Sequence, residues 1–269
     1  MSYIFRSDAV SVGDRVVARR EFSGTHSDVI GHVLSTSPLV IRPQAVGGYP
    51  SDLEAVEIPA EQLKIIKKLS PRTVRNSDIR AVEVAAAAAR GGTKVWTNDG
   101  QWLMRFGEGT DSAIPLGPSA GFMPAPMEEI DAFYAEHNLP TRLAIPERIG
   151  KAALRVLDNA PAAWQLEPEV LVLTRSLDTA SAEPHLDSAL FDATLSQSGD
   201  ERVWLGISLL GNATPSQLEA LLAWGKANGA ENAFVEVEAS ESAAVALLSE
   251  IGFLEHHRRR YAVRKGGTL

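Results

Sequence analysis

The clearest alternation of apolar and polar positions runs from Thr214 to Val263, and its period changes in the order helix, strand, helix, strand. Leu218, Leu221, Leu222, Trp224 and Gly225 recur at spacings of three and four, which gathers them on one helical face. Thr214 is a good N-cap, Pro215 takes the first helical position, Gln217 completes a capping box, and Asn228-Gly229 supplies a left-handed stop. Ala233, Val235 and Val237 then alternate with Asn232, Glu236 and Glu238, the period of a half-buried strand. A second helix over about 242–250 ends at Gly252-Phe253, and a last strand reaches Tyr261–Val263. Strands separated by helices imply an α/β sheet with crossover connections.

Upstream, residues 1–69 read as short alternating runs (VGDRVVARR, DVIGHVLS, PLVIRP, LEAVEIP) separated by turn-forming clusters, the pattern of a small barrel of the Src-homology-3 type. Ser70-Pro71 marks a boundary. A helix follows, capped by Ser77 or Asn76 and stopped by Gly91-Gly92; the turn Asn98-Asp99-Gly100 then leads into QWLMRFGEG and its antiparallel neighbour TDSAIPLG. Beyond them the order helix (MEEIDAFYAEHN), strand (TRLAIP), helix (RIGKAALRVLDN), strand (EVLVLTRS) repeats the C-terminal pattern after roughly ninety residues. The expected architecture is α+β: a barrel over 1–69, a first α/β half over 70–178, a polar linker over 179–202 and a second, truncated half over 203–269.

Composition adds exclusions. The formal net charge is −8, and in residues 1–69 eight Lys and Arg balance eight Asp and Glu with few aromatics, so neither the chain nor its barrel reads as a nucleic-acid binder. Without cysteine there is no disulfide, thiolate nucleophile or Cys-ligated metal, and His26 and His32 have no third ligand nearby, so no metal is expected. No run of about eighteen apolar residues and no signal-peptide pattern occurs, which places the expected protein in the cytoplasm and off the membrane. His256-His257-Arg258-Arg259-Arg260 reads as a solvated edge strand, and the five tryptophans as core.

The run from Val237 through Ala244 and Leu247 to Gly252-Phe253 resembles the C-terminal half of the GNAT N-acetyltransferase fold. With QWLMR, DSAIPLG, LVLT, WLG and HHRRRYAV, nearly the whole chain resembles a group of actinobacterial two-part GNAT proteins with an N-terminal barrel, some assigned as N-acetylglutamate synthases. The resemblance implies acetyl transfer from acetyl-CoA to a small amine, with glutamate one candidate. It places the pyrophosphate of CoA at Gly211, Asn212, Ala213, Thr214, Ser216 and Gln217, where the family's R/Q-x-x-G-x-G/A loop has become a stretch with one glycine and a proline. Where the family carries a proton-donating Tyr and a preceding Asn, this chain has Leu248 and Glu241; Tyr261 and Glu241 are therefore the catalytic candidates. Arg105, Asp111 and Ser112 are the substrate-binding candidates, Arg105 through a bidentate carboxylate contact. Two expectations stay open: an acetyltransferase of weak or lost activity, or a catalytically silent protein whose barrel serves a protein partner or self-association.

Overall fold

The computed structural model describes residues 9–22, 24–109, 111–178, 191–209 and 213–265. The chain divides into two compact units, Tyr3–Val74 and Arg75–Leu269 together with Met1–Ser2.

In the smaller unit, β1 (Arg15–Phe22), β2 (Thr25–Thr36), β3 (Leu39–Pro43), β4 (Val56–Ile58) and β5 (Leu63–Lys68) form one antiparallel sheet in the order β4-β3-β2-β1-β5. Its inward positions Val16, Ala18, Val29, Val33, Ile41 and Ile58 make a small apolar core. At Gly31 β2 and β3 come so close that an added Cβ would lie 1.9 Å from the Arg42 carbonyl oxygen, so only glycine fits.

The larger unit begins with α1 (Asn76–Ala89). Asn76 and Ser77 lie inside this helix; its cap is instead the backbone N–H of Arg75, which donates to Asp78 Oδ2. Then come β6 (Thr93–Trp96), β7 (Trp102–Phe106), β8 (Ser112–Pro115), α2 (Met127–Glu136), β9 (Arg142–Pro146), α3 (Lys151–Asn159), β10 (Trp164–Leu166), β11 (Val170–Ser176), β12 (Phe191–Gln197), β13 (Val203–Leu209), α4 (Pro215–Ala227), β14 (Asn232–Glu238), α5 (Ser242–Glu250) and β15 (Leu254–Arg264). The sheet order is β12-β13-β14-β11-β15-β9-β8-β7-β6, with β10 added beside β15. Among the described residues no helix is long and apolar enough to cross a membrane.

Two β-α-β runs sit in this sheet: β8-α2-β9, parallel with one registered pair (Ala113 with Leu143), and β13-α4-β14, parallel over Trp204–Ile207. Each is followed by a helix and a closing strand, but the closing strands are exchanged. β11 pairs with β14, and β15 with β9, while β11 and β15 lie antiparallel at the centre. The unit is thus one continuous sheet, and neither run closes on its own strand.

Three expectations need correcting. Residues 179–202 are not simply a linker: β12 lies within them and forms a full antiparallel ladder with β13. Alternating Ala193 and Leu195, which pack on the core, carried that strand inside a polar stretch. The basic run His256–Arg260 is central, not an edge, because β15 is flanked by β11 and β9; His257, Arg258 and Arg259 are buried. Finally, Trp102, Trp164 and Trp204 are core residues and Trp224 is half-buried, but Trp96 is exposed on β6 at the end of the sheet.

The two faces of the sheet differ. On one, Leu218, Leu221 and Leu222 of α4 and Leu248 and Ile251 around α5 pack on Leu205, Ile207, Val235 and Val237. On the other, α1 lies flat, because Ala85 and Ala86 let its backbone approach Val172, Trp204 and Phe234. This second face carries the candidate site.

Candidate active site

A cavity of ≈ 690 Å³ opens at the C-terminal end of α1, floored by β14 and β13 and bordered by β12, β15 and the turn after β7. Gly206 helps shape it: an added Cβ would lie 2.6 Å from the Phe234 ring opposite, so glycine lets that ring lie flat on the floor. Around the wall stand Glu108, Asp192, Glu236, Glu238 and Glu241, with Arg90, Arg142 and Tyr261 among them.

Beneath the wall, a chain of buried charges ties α1 to the sheet. Glu83 of α1 meets His257 Nε2 at 2.8 Å and Arg259 Nη1 at 2.6 Å. Arg259 Nη2 lies 2.6 Å from Glu236 Oε2, the same oxygen that pairs with Arg90. His256 Nδ1 is 2.8 Å from His257 Nδ1. Because Glu83 is an acceptor here, His257 Nε2 carries a proton, and one of the two facing Nδ1 atoms of His256 and His257 donates to the other. Burial works to raise the Glu236 carboxyl, but Arg259 and Arg90 overcome it and hold the group at about 2. Glu83 is likewise lowered: burial opposes, and Arg259 with the His257 hydrogen bond prevails. Two carboxylates and two guanidiniums thus neutralise one another inside the fold, which is how charged residues can occupy a central strand.

Tyr261 and Glu241, the two catalytic candidates, both line the cavity. The Arg142 guanidinium lies 3.6 Å over the Tyr261 ring and that of Arg259 at 5.2 Å, which fixes the ring by cation–π contact. Glu241 is the N-cap residue of α5, but its side chain makes no capping bond and remains exposed.

The substrate-binding candidates form a separate cluster. Arg105 is 2% exposed, donates from Nη2 to Ser112 Oγ at 2.9 Å, and has its Nε without a partner. Burial lowers its pKa. Asp111 Oδ1 accepts from the Gly107 N–H at 2.7 Å and so braces the turn that carries Glu108 to the cavity.

Of the cofactor-binding candidates, Gly211 and Asn212 lie outside the described residues. Ala213 is half-buried, and the capping box after it is formed: the Thr214 N–H donates to Gln217 Oε1 at 2.9 Å and the Gln217 N–H to Thr214 Oγ1 at 3.4 Å. The Leu218 N–H donates to the Thr214 carbonyl, and Pro215 has none, so among the described residues the Ser216 N–H is the donor of this first turn left without an acceptor. Leu248 is fully buried in the apolar core. Among the described residues no cluster of His, Asp and Glu could hold a metal ion.

The sequence pattern assigns no role to Glu83, puts Glu236 on the polar side of its strand and reads the basic run as a solvated edge. The one available signal was the coincidence of a basic strand with a glutamate at position eight of an alanine-rich helix and another within a strand.

A family model described as "Probable histone acetyltransferase Rv0428c C-terminal" matches residues 76–191 and 181–262. The probable histone acetyltransferase Rv0428c of Mycobacterium tuberculosis is 30% identical over 296 residues, covering 93% of this chain and 94% of that protein. Solved structures with similarity include a GCN5-related N-acetyltransferase from Kribbella flavida (TM-score 0.45, 12% identity, 71% of this chain and 96% of that one). Another is a GCN5-related N-acetyltransferase from Sphaerobacter thermophilus (TM-score 0.40, 12% identity, 73% and 99%). On its match through both β-α-β runs and its identity to a full-length relative, the chain belongs to the acetyltransferase-like family of the probable histone acetyltransferase Rv0428c.

Proposed function

We propose that the larger unit is an N-acyltransferase of the GNAT type, moving acetyl from acetyl-CoA to an amine held in the α1-face cavity. The observation that carries this reading is the meeting of Tyr261 and Glu241 on the wall of one cavity beside the parallel pair β13 and β14. Acyl transfer needs a neutral amine, so a base must take the ammonium proton; Glu241, exposed at the rim, is placed for that. The amine nitrogen then attacks the thioester carbonyl carbon, the C–S bond breaks as Tyr261 protonates the departing thiolate, and the surplus proton of the new amide nitrogen restores the tyrosinate to tyrosine. Acetyl-CoA supplies the activated acyl group. The chain's part is to orient the amine, and Arg142 and Arg259 keep the Tyr261 ring in place.

The helix that would meet the pyrophosphate fits only in part. With the capping box formed, Ser216 offers one first-turn N–H, so the expected affinity for acetyl-CoA is weak, about 0.1–1 mM. The same closed cap, with Leu248 buried where the family places its proton donor, favours a second reading: a catalytically silent relative. Glutamate suits the cavity poorly as an acceptor, since its carboxylates would face Glu108, Asp192, Glu238 and Glu241. Acetyl-CoA titration by calorimetry, with thiol release measured over a panel of amines, separates the readings. Heat and amine-dependent thiol release support the enzyme; neither at millimolar acetyl-CoA leaves the silent relative.

A further inference from the structure

The hydroxyl of Tyr261 makes no hydrogen bond among the described residues, so the phenol is not fixed from its oxygen end. Leu103, Ile114 and Ala144 pack around the ring, but apolar contact is non-directional. The directed contacts are the two guanidiniums, and Arg142, 3.6 Å from the ring centre, is nearer than Arg259 at 5.2 Å. Arg259 is held by the buried Glu83 and Glu236. Arg142 takes its place from a residue outside the cavity wall, Glu167.

Glu167 follows β10 directly and grips Arg142 on two atoms: Oε1 accepts from Nε at 3.1 Å and Oε2 from Nη2 at 2.5 Å. Such a bidentate contact sets the plane of a guanidinium as well as its position. The remaining Nη1 lies 3.3 Å from the Asp111 carbonyl oxygen. The backbone of Glu167 is anchored on the tyrosine itself, because its N–H donates to the Tyr261 carbonyl at 2.9 Å, one step beyond the Leu166 and Ala262 pair of β10 and β15. Pro168 next to it disfavours helical backbone at this position and keeps the strand direction. The contacts close a circuit: Glu167 backbone to Tyr261 backbone, Glu167 carboxylate to Arg142, Arg142 guanidinium to the Tyr261 ring. The side chains of Arg142 and Glu167 are 23% and 32% exposed, and an ion pair so placed adds little to stability. What it supplies is geometry.

Taking Tyr261 as the acid that protonates the departing thiolate, we propose that Glu167 is a positioning residue for acyl transfer, holding the Arg142 guanidinium that in turn aims the Tyr261 hydroxyl. This role differs in sign from a field effect. Without the Glu167 charge, Arg142 would act on the ring as an uncompensated cation, which favours the tyrosinate formed in that step and would speed it. Loss of aim slows the step instead, since a misplacement of about 1 Å costs up to about 10²-fold in rate.

The test is Glu167→Gln in the full chain, alone and combined with Tyr261→Phe, assayed with acetyl-CoA and the best acceptor of the amine panel. In the single variant kcat is expected to fall about 10- to 100-fold while KM for both substrates stays unchanged. In the Tyr261→Phe background the same substitution is expected to cost nothing further, because no hydroxyl is left to aim. A fall that persists in that background marks a general structural loss and overturns the proposal, as does an unchanged or raised kcat in Glu167→Gln. If Tyr261→Phe alone leaves kcat unchanged, the assignment of the acid fails and the proposal falls with it. Should no amine be acetylated, the acyltransferase reading fails by itself, and fluorine NMR of the full chain carrying 3-fluorotyrosine decides the positioning. The Tyr261 signal, identified by its loss in Tyr261→Phe, is expected to shift and broaden in Glu167→Gln while those of the other three tyrosines stay. An unmoved Tyr261 signal overturns the proposal.

Discussion

His256 shows what one side chain contributes to the pH response. Burial, and next the field of His257, hold its pKa at about 3, whereas an unfolded histidine titrates near 6.5. Between those values the unfolded chain binds a proton that the folded chain refuses, so stability is complete above about pH 6.5 and falls as the pH drops through the window. Urea unfolding between pH 6.5 and 4.5 is expected to lose up to about 1.4 kcal/mol per pH unit from this residue. His256→Asn, whose amide can still hydrogen-bond to His257, is expected to show the shallower slope. Tyr261 is the matching case for chemistry. Tyr261→Phe keeps the ring under Arg142 but removes the hydroxyl, and kcat for acetyl transfer is expected to fall by about 10²–10⁴ with little change in thermal stability. An unchanged kcat would remove Tyr261 from the mechanism. Both residues are visible in the sequence, but the pattern there gives a chemical role to Tyr261 and only a solvated edge to His256. A histidine beside three arginines resembles a surface patch until the acids that neutralise it, 174 residues away in the case of Glu83 and His257, are known.

Among the elements, α1 is fastened to the sheet by small apolar contacts and by Glu83, and the two can be separated experimentally. Glu83→Ala leaves Arg259 and His257 buried with less compensation, and a loss of about 3–5 kcal/mol in denaturant unfolding is expected. A loss below about 1 kcal/mol would mean that the network rearranges around the gap. The helices and most strands were legible, because apolar period and caps are local: the Thr214 to Gln217 box and the parallel pair around α4 stand where the sequence puts them. What was not legible depends on partners distant in sequence. The alternation in β14 read as one buried face and one wet face, yet α1 and β15 turn Glu236 inward on the second. In β12 the two apolar positions were too few to stand out from the polar stretch around them.

For the whole larger unit, exchange of the closing strands means that the two β-α-β runs are not modules. Residues 75–178 alone would leave β9 and β11 without β15 between them, and residues 191–269 alone would leave β14 without β11 and β15 without β9, β10 and β11. Unpaired apolar edges of this kind favour aggregation over folding. Expressed separately, neither fragment is expected to show dispersed amide spectra, and mixing them is expected to restore the native spectrum. A folded isolated fragment would show that the exchange is not obligatory. The family resemblance made two consecutive halves the natural reading, since strand order is long-range information that period and capping do not carry.

The same exchange bears on how the protein is made. β15 leaves the ribosome after every other described strand, about ninety residues behind β11, and at 5–20 residues per second that is a wait of roughly 4–18 s. Through most of it β11 lacks both of its neighbours, β14 and β15, while β9 lacks β15. The period of greatest exposure for this protein therefore falls during its own translation, when Leu171, Leu173 and their neighbours lie without the strands that later cover them.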